Sequence, residues 1–203
     1  FFNDTATTEI YPLSLHDALP ISDYVFPGAP GEAPYAETDP VDPVNYYAET
    51  KFAGERAALI ADRATVLRPS VVYGFGGGNF ATWALGELES GTTLDIVDDQ
   101  VSAPTYAPDL ARACVDVAER ELTGLYHASG PESLSRYDFT TTLAEVFDID
   151  TEQVVPTTTE ELGQDAPRPP DSTLDSARLY DALDDEFRAP RAGFEAMRAS
   201  REN

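Results

Sequence analysis

The chain has 203 residues, with 37 acidic against 13 Lys and Arg side chains and a net charge of −24. Nucleic acid and anionic membranes are therefore poor partners, because binding to phosphate groups needs a basic surface. Lysine occurs once, at Lys51, and all the other Lys and Arg positions are arginine. This composition is typical of cytoplasmic proteins from extreme halophiles, in which salt screens the self-repulsion of a large net charge. The alternative is an ordinary acidic protein from a low-salt cell.

Cysteine content, hydropathy and length indicate the cellular compartment and the number of domains of the protein. The single cysteine, Cys114, cannot form an internal disulfide, which favours a reducing cytoplasm. No apolar run approaches the roughly 18 residues that a membrane span requires. The length suits one domain with a sizeable core, or most of a two-lobed protein. Histidine, cysteine and carboxylate residues show no ligand spacing that would indicate a protein-built metal site.

The segment 3–21 has neither strand alternation nor an apolar helix face. It resembles the translation of a widely used sequencing-adapter oligonucleotide and differs from that translation at Pro12 alone. We therefore expect residues 1–21 to be non-native and to lie outside the fold. The adapter would also supply the first base of codon 22, so Ser22 is compatible with an original threonine as well as an original serine.

From residue 22 onward, predicted strands and helices alternate. Helices are predicted over 45–63, 79–88, 109–121, 136–147 and 175–183. Strands are predicted over 64–68, 70–73, 94–97 and 124–128. The alternation predicts an α/β protein with a parallel sheet and a smaller lobe of helices and strands. The glycines at 74 and 76–78 follow a late strand and are weak evidence for a phosphate-binding loop.

Tyr47 and Lys51 lie four residues apart in a predicted helix, so their side chains share one face. A nearby ammonium favours the phenolate and lowers the pKa of a tyrosine, which would make Tyr47 a usable general acid for a carbonyl oxygen. The same spacing is common on surface helices without any function. Here, however, the pair contains the only lysine, and arginine lacks the compact ammonium that can bond two ribose hydroxyls.

Further motifs accompany this pair in a fixed order. They are S-D-Y-V-F at 22–26, P-x-N-x-Y-x-x-T-K at 43–51, L-R-P-S-V-V-Y-G at 67–74, N-F at 79–80, D-Q at 99–100, A-P-T-Y at 103–106, D-L-A at 109–111, Y-H at 126–127, R-P at 168–169 and L-D at 174–175. Together they resemble the dTDP-4-dehydrorhamnose reductase branch of the extended short-chain dehydrogenases/reductases. The resemblance covers residues 22 to about 183 and implies the C-terminal part of a Rossmann-type parallel sheet with a smaller mixed α/β substrate-binding lobe.

The resemblance also implies a chemistry and assigns residues to it. NADPH or NADH would reduce the C4 carbonyl of a nucleotide-linked 4-keto sugar. Tyr47 would protonate the C4 oxygen, Lys51 would hold the nicotinamide ribose and Ser22 would hydrogen-bond the substrate carbonyl. The cofactor-binding positions would be Tyr47, Lys51, Pro69 and Val71. The substrate-binding positions would be Ser22, Asp23, Val71, Asn79, Gln100, Pro104, Tyr106 and Arg168. For the 100–106 loop and Arg168, a buried loop anchor and a helix-capping arginine are the structural alternatives.

The same resemblance predicts a division of the chain. Residues 22–75 would be the remnant of an NAD(P)-binding domain with its catalytic helix. Residues 76–203 would be mainly the substrate-binding lobe, with a segment at about 108–130 returning to the Rossmann sheet. A homodimer and a Mg²⁺ requirement are compatible with the family. Because most of the cofactor site would be missing, we expect this chain by itself to be inactive and to bind no NADPH measurably.

Individual positions leave alternatives open. The family often has tryptophan where this chain has Val71, and valine is closer to the epimerases and dehydratases of the same superfamily. The family is also similar to the regulatory subunit of methionine adenosyltransferase, which would make the protein a non-catalytic regulator. His127 lies in the middle of a predicted strand, where a packed structural role is expected. Trp83, Phe139 and Phe147 have the spacing of helix core.

Overall fold

A computed structural model describes residues 18–20 and 22–201 of the chain, with the backbone alone for 18–20. Within this part the protein is an α/β structure. The helices are α1 (Tyr46–Ala58), α2 (Phe80–Glu89), α3 (Ala107–Glu119), α4 (Arg136–Val146), α5 (Thr159–Leu162), α6 (Ala177–Leu183) and α7 (Pro190–Arg201). The strands are β1 (Ala18–Pro20), β2 (Thr65–Arg68), β3 (Val72–Tyr73), β4 (Leu94–Val97), β5 (Val101–Ser102), β6 (Thr105–Tyr106), β7 (Gly124–His127), β8 (Leu134–Ser135) and β9 (Val154–Thr157).

A parallel sheet with strand order β1-β2-β7 organises the part of the fold that carries α1. Leu67 of β2 lies opposite Pro20 on one side and Tyr126 on the other. The pairing of β1 differs from the expectation that residues 1–21 lie outside the fold. Strands pair through backbone N–H and C=O groups, and every residue except proline carries both. A segment of non-native sequence can therefore pair with β2 as a native one would.

Three two-stranded pairs complete the strand structure: β3 with β6 and β4 with β9 in parallel, and β5 with β8 antiparallel. The largest apolar core lies among these pairs and the helices α2, α4 and α7. Its fully buried large side chains include Tyr73, Leu88, Phe139, Leu143, Phe194 and Met197. α7 packs closely against Tyr73 at Gly193. A Cβ at this position would collide with the Tyr73 hydroxyl, so the close packing requires glycine.

A second core lies between β2, β7, α3 and α6, with Leu67, Val117 and Leu179 at its centre. The segment 107–127 thus packs against the three-stranded sheet, while the predicted division into two domains stays a prediction. A third cluster, of Val25, Phe26, Tyr35 and Leu174, packs the loop before α1 against the chain near residue 174.

A buried ion pair fixes α1 on β2. Arg68 donates from Nε and Nη2 to the two carboxylate oxygens of Glu55 at 2.8 and 2.6 Å, and both side chains are almost fully buried. Arg68 also contacts His127 through Nη1 and Nε2, 3.2 Å apart, and His127 Nδ1 lies 3.0 Å from the carbonyl oxygen of Tyr35. Because Arg68 can only donate, His127 accepts at Nε2 and donates from Nδ1 to that carbonyl oxygen. The residue is fully buried, so the expected packed role of His127 agrees with its environment.

Several predicted elements differ from the structure. α1 ends at Ala58, five residues before the predicted end at residue 63, and Asn45 is its N-cap. α7 and β9 were missed by the sequence analysis. Trp83 was expected in the core, but it is 49% exposed, because α2 buries Ala81, Ala84, Leu85 and Leu88 instead. A helix of ten residues offers one buried stripe, and Trp83 lies off that stripe.

Candidate functional site

A cleft of about 370 Å³ opens beside the carboxyl end of β2. Ligand sites of α/β proteins commonly form there, because the loops that leave parallel strands meet at one edge of the sheet. A 3₁₀ turn over Asp23–Val25 follows β1, and α1 brings Tyr47 to the same place. The lining residues are Ser22, Asp23, Tyr24, Tyr47, Pro69, Val71, Val72 and Arg136. Five of the predicted site residues are thus brought together: Ser22, Asp23, Tyr47, Pro69 and Val71.

Tyr47 and Lys51 share one face of α1, as the spacing predicted, and the Lys51 Nζ lies 5.6 Å from the centre of the Tyr47 ring. Tyr47 is 54% exposed and packs edge-on against Tyr24. The predicted lowering of its pKa is wrong for this geometry. Desolvation and the negative charge of Asp23 raise the pKa of Tyr47, and the nearby Ser22 side chain opposes the rise. The phenol is therefore protonated at neutral pH.

Ser22 and Asp23 form a buried polar pair at the base of the cleft. Ser22 caps the 3₁₀ turn, since its Oγ accepts from the backbone N–H of Tyr24 at 3.2 Å. Asp23 Oδ2 accepts from the hydroxyls of Ser70 and Ser172 at 2.8 and 2.5 Å, and Oδ1 lies 3.4 Å from Ser22 Oγ. Burial raises the pKa of the Asp23 carboxyl, while these hydroxyls and the charge of Arg136 oppose the rise.

Pro69 and Val71 line the cleft from the segment that follows β2. The Pro69 carbonyl accepts from the backbone N–H of Asp23 at 3.1 Å, which holds the 3₁₀ turn against this segment. Val71 has a φ of 30°, a conformation that β-branched residues rarely adopt. Its carbonyl accepts from the Thr105 N–H at 3.2 Å, and Thr105 in turn hydrogen-bonds Ser70 through its Oγ1. The surrounding hydrogen bonds therefore keep a strained backbone in place beside the site.

Arg136 lines the cleft but was missed by the sequence analysis. It is the first residue of α4, after the N-cap Ser135, and its backbone N–H donates to the Gln100 carbonyl at 3.1 Å. Its guanidinium carbon lies 5.1 Å from the centre of the Phe80 ring. No local pattern marks an arginine at a helix start as a site residue. β8, which ends directly before Arg136, pairs with β5, and this pairing helps to position Arg136 beside the cleft.

The other predicted substrate residues do not line this cleft. Gln100 is buried and donates its Nε2 hydrogens to Thr159 and Gln164, both at 2.9 Å. Pro104 and Tyr106 are buried, and Tyr106 packs against Tyr73 in the large core. This burial is compatible with the structural alternative of a buried loop anchor, and the substrate roles of Gln100, Pro104 and Tyr106 stay predictions.

Asn79 and Arg168 lie outside the cleft for different reasons. Asn79 is the N-cap of α2 in a capping box with Thr82, and it borders a shallow groove of about 560 Å³ with Gly78, Phe80 and Trp83. Arg168 is exposed, next to Pro167, whose carbonyl accepts from Asn45 Nδ2 at 2.9 Å. This hydrogen bond ties the 167–168 segment to the start of α1, two residues before Tyr47.

Among residues 18–20 and 22–201, no group of three or more His, Cys, Asp and Glu side chains is arranged to hold a metal ion. These residues thus offer no built Mg²⁺ site of that kind. None of the helices described is both long enough and apolar enough to cross a bilayer.

Comparison with known proteins places this geometry in a family. The curated dTDP-4-dehydrorhamnose reductase of Mycolicibacterium smegmatis is 36% identical over 164 residues, which are 79% of this chain and 50% of that protein. Methionine adenosyltransferase 2 subunit beta of Danio rerio is 32% identical over 168 residues, 78% of this chain and 51% of that protein. The chain thus spans about half the length of these curated relatives.

The solved structures agree with the same fold. A crystal structure of dTDP-4-dehydrorhamnose reductase from Bacillus anthracis in complex with NADP matches with a TM-score of 0.84 and 28% identity. The match covers 90% of this chain and 65% of that one. The family profile described as "RmlD substrate binding domain" matches residues 19–201. The chain therefore belongs to the RmlD substrate binding domain family.

Proposed function

We propose that this protein takes part in the NADPH- or NADH-dependent reduction of a nucleotide-linked 4-keto sugar, in the manner of a dTDP-4-dehydrorhamnose reductase. The observation that carries the proposal is the cleft that Tyr47 and Ser22 line together, with Lys51 on the same helix face as Tyr47. The relative from M. smegmatis and the B. anthracis structure carry the reductase name. Synthesis of a deoxysugar for a surface polysaccharide is the process to which we assign the reaction.

The proton chemistry follows from the state of Tyr47. Reduction of a carbonyl leaves a negative charge on its oxygen, and a phenol within hydrogen-bond distance can neutralise this charge by giving up its proton. Because the pKa of Tyr47 is raised, the phenol holds its proton at neutral pH until the oxygen becomes basic. The Ser22 hydroxyl lines the same cleft as Tyr47 and is placed to donate to the same oxygen. Ser22 would therefore orient the carbonyl while Tyr47 protonates it.

A nicotinamide cofactor supplies the hydride in this type of reaction. The described residues fit one end of that cofactor. Lys51 makes no ion pair with any carboxylate in the part of the chain described here. It follows Tyr47 by one helical turn, and its Nζ lies 5.6 Å from the centre of the Tyr47 ring. Such an ammonium can bond ribose hydroxyls. We therefore expect Lys51 to hold the nicotinamide ribose, with Tyr47, Pro69 and Val71 as the other cofactor-binding positions.

The similarity to methionine adenosyltransferase 2 subunit beta supports a second candidate, a regulatory subunit without turnover. The two functions differ in their dependence on the phenol. A reductase loses its function when Tyr47 is changed to phenylalanine, whereas a regulator keeps its effect on a partner enzyme. The presence of both Tyr47 and the only lysine of the chain in one pair favours the reductase.

The test is a turnover assay, followed by the loss of NADPH absorbance, with dTDP-4-dehydrorhamnose, NADPH and a form of the protein that carries a complete NAD(P)-binding domain. Removing a general acid lowers a rate by about 100- to 10,000-fold, so we expect a Tyr47→Phe variant to lose that much of kcat. Tyr46→Phe is the matched control, because Tyr46 is on the same helix, is exposed and does not line the cleft. Equal activity of the Tyr47→Phe variant and the unmodified protein would contradict the proposal.

A further inference from the structure

More than half of the positively charged side chains of this acidic chain form ion pairs with carboxylates. Of the twelve arginines in the sequence, eight form ion pairs. The eight are Arg63, Arg68, Arg112, Arg120, Arg188, Arg191, Arg198 and Arg201. Over the described range, Arg136 has no carboxylate partner although it lines the cleft that contains Tyr47. An arginine that lines a cleft and forms no ion pair is available to bind a ligand.

Asp23 lines the same cleft but is not a hydrogen-bonded carboxylate partner of Arg136. Its Oδ2 already accepts from the hydroxyls of Ser70 and Ser172, and Oδ1 is next to Ser22 Oγ. Arg136 acts on Asp23 through charge without a hydrogen bond between the two. The guanidinium is instead stacked on Phe80, which restrains its plane and leaves its edge N–H groups for an acceptor. Planar donors of this kind match the paired oxygens of a phosphate.

The position of Arg136 adds a second argument. It lines the cleft on one side, and on the other it covers Phe80, which lines the shallow groove with Trp83. The rings of Phe80 and Trp83 are 5.6 Å apart, and Trp83 is about half exposed. A nucleotide-linked sugar has the same order of parts: a sugar, a diphosphate and a flat aromatic base. The cleft, Arg136 and the aromatic groove thus match these parts one after another.

We propose that Arg136 binds the diphosphate of the nucleotide-linked substrate, with the base on the Phe80 and Trp83 groove and the sugar beside Tyr47. The inference rests on the proposed function for the identity of the sugar, but the diphosphate and base sites can be tested without turnover. Nothing in the local sequence assigns this role, since Arg168 was the arginine predicted to contact the substrate.

The experiment is calorimetric titration of the 203-residue chain with thymidine 5′-diphosphate and, separately, with thymidine. We expect Arg136→Gln to weaken binding of the diphosphate about 10- to 100-fold, the range for a lost charged hydrogen-bonded pair. Binding of thymidine should be unchanged. Arg136→Lys keeps the charge without the planar fork and should give an intermediate loss. Trp83→Ala should weaken both ligands alike, because both carry the base.

Arg56→Gln is the matched control. Arg56 is also an arginine stacked on a phenylalanine, with its guanidinium carbon 5.8 Å from the centre of the Phe52 ring, but it does not line the cleft. This variant should bind the diphosphate as the unmodified chain does. The proposal is overturned if Arg136→Gln binds the diphosphate as tightly as the unmodified chain does, whatever the effect of Arg168→Gln, or if the unmodified chain binds the diphosphate no better than thymidine. A loss of binding in Arg136→Gln combined with no turnover in the reductase assay would retain this site and reject the proposed reaction.

Discussion

The buried pair of Glu55 and Arg68 gives the sharpest prediction about what holds the site together. We expect Glu55→Gln to destabilise the protein strongly. The substitution keeps the shape of the side chain but leaves the Arg68 guanidinium buried, with the neutral ring of His127 and the face of Phe26 as its neighbours. A buried charge without a carboxylate in direct contact is costly.

The magnitude follows from the burial of both groups. The Arg68 and Glu55 side chains are 2% and 3% exposed, and both hydrogen bonds are within ordinary charged distances. Removing one partner of such a pair costs about 3–5 kcal/mol. A protein of this size typically has a free energy of unfolding of about 5–15 kcal/mol, so the variant should lose a large part of its stability. The double variant Glu55→Gln with Arg68→Met removes the stranded charge and should recover most of it.

The assay is chemical unfolding followed by circular dichroism at fixed salt. The control is Glu121→Gln, which breaks the pair of Arg63 and Glu121, whose side chains are 46% and 62% exposed. Exposed pairs contribute less than about 1 kcal/mol, and added salt should reduce that further. A cost below about 1 kcal/mol for Glu55→Gln, or a double variant no more stable than the single one, would refute the reasoning.

Three further predictions concern acid, cofactor and packing. Burial lowers the pKa of His127 to about 4, so between its ordinary value and about 4 only the unfolded chain takes up the proton. Stability should fall by up to about 3 kcal/mol as the pH drops through this window, and His127→Gln should flatten that part of the curve in equilibrium unfolding. The 203-residue chain should bind no NADPH in a fluorescence titration. Within the described residues, no glycine-rich turn joins the three-stranded sheet to a helix N-terminus, where the pyrophosphate would bind. Tight binding of NADPH would contradict this prediction. Gly193→Ala should cost about 1–3 kcal/mol, since the new methyl group must displace the Tyr73 hydroxyl in the core; an unchanged unfolding midpoint would show that the core can adapt.

The parts of the fold that local pattern determines were predictable. The strand at Thr65–Arg68 is a short apolar run before a proline, and the helix that carries Tyr47 begins after an N-cap asparagine and lacks internal proline. The pairing of Tyr47 with Lys51 on one helix face follows from the spacing alone. The fold class follows from the alternation of these elements. Each of these features depends on residues that are neighbours in the chain.

Features that depend on distant segments could not be predicted in the same way. Burial and the charge of Asp23 raise the pKa of Tyr47. Neither the burial of Tyr47 nor its distance from Asp23 can be read from the sequence of the helix that contains the tyrosine. Gln100 was assigned to the substrate because of its motif, but its side chain is bonded to Thr159 and Gln164. Arg136 reaches the cleft through a strand pair of two residues per strand, which is too short to leave a period in the sequence.

The net charge of −24 constrains how an anionic substrate can be bound at all. A net negative charge repels a nucleotide-linked sugar at long range. If the protein works in about 1 M salt, as the halophilic composition predicts, the Debye length is roughly 3 Å and neither repulsion nor attraction extends far. Binding must then come from groups at hydrogen-bond distance. Because carboxylates occupy most of the arginines, Lys51 and Arg136 are the positive charges that the fold leaves at or beside the cleft. Their affinity for an anion should therefore depend on contact geometry, and Arg136→Lys should weaken diphosphate binding even though the charge is kept.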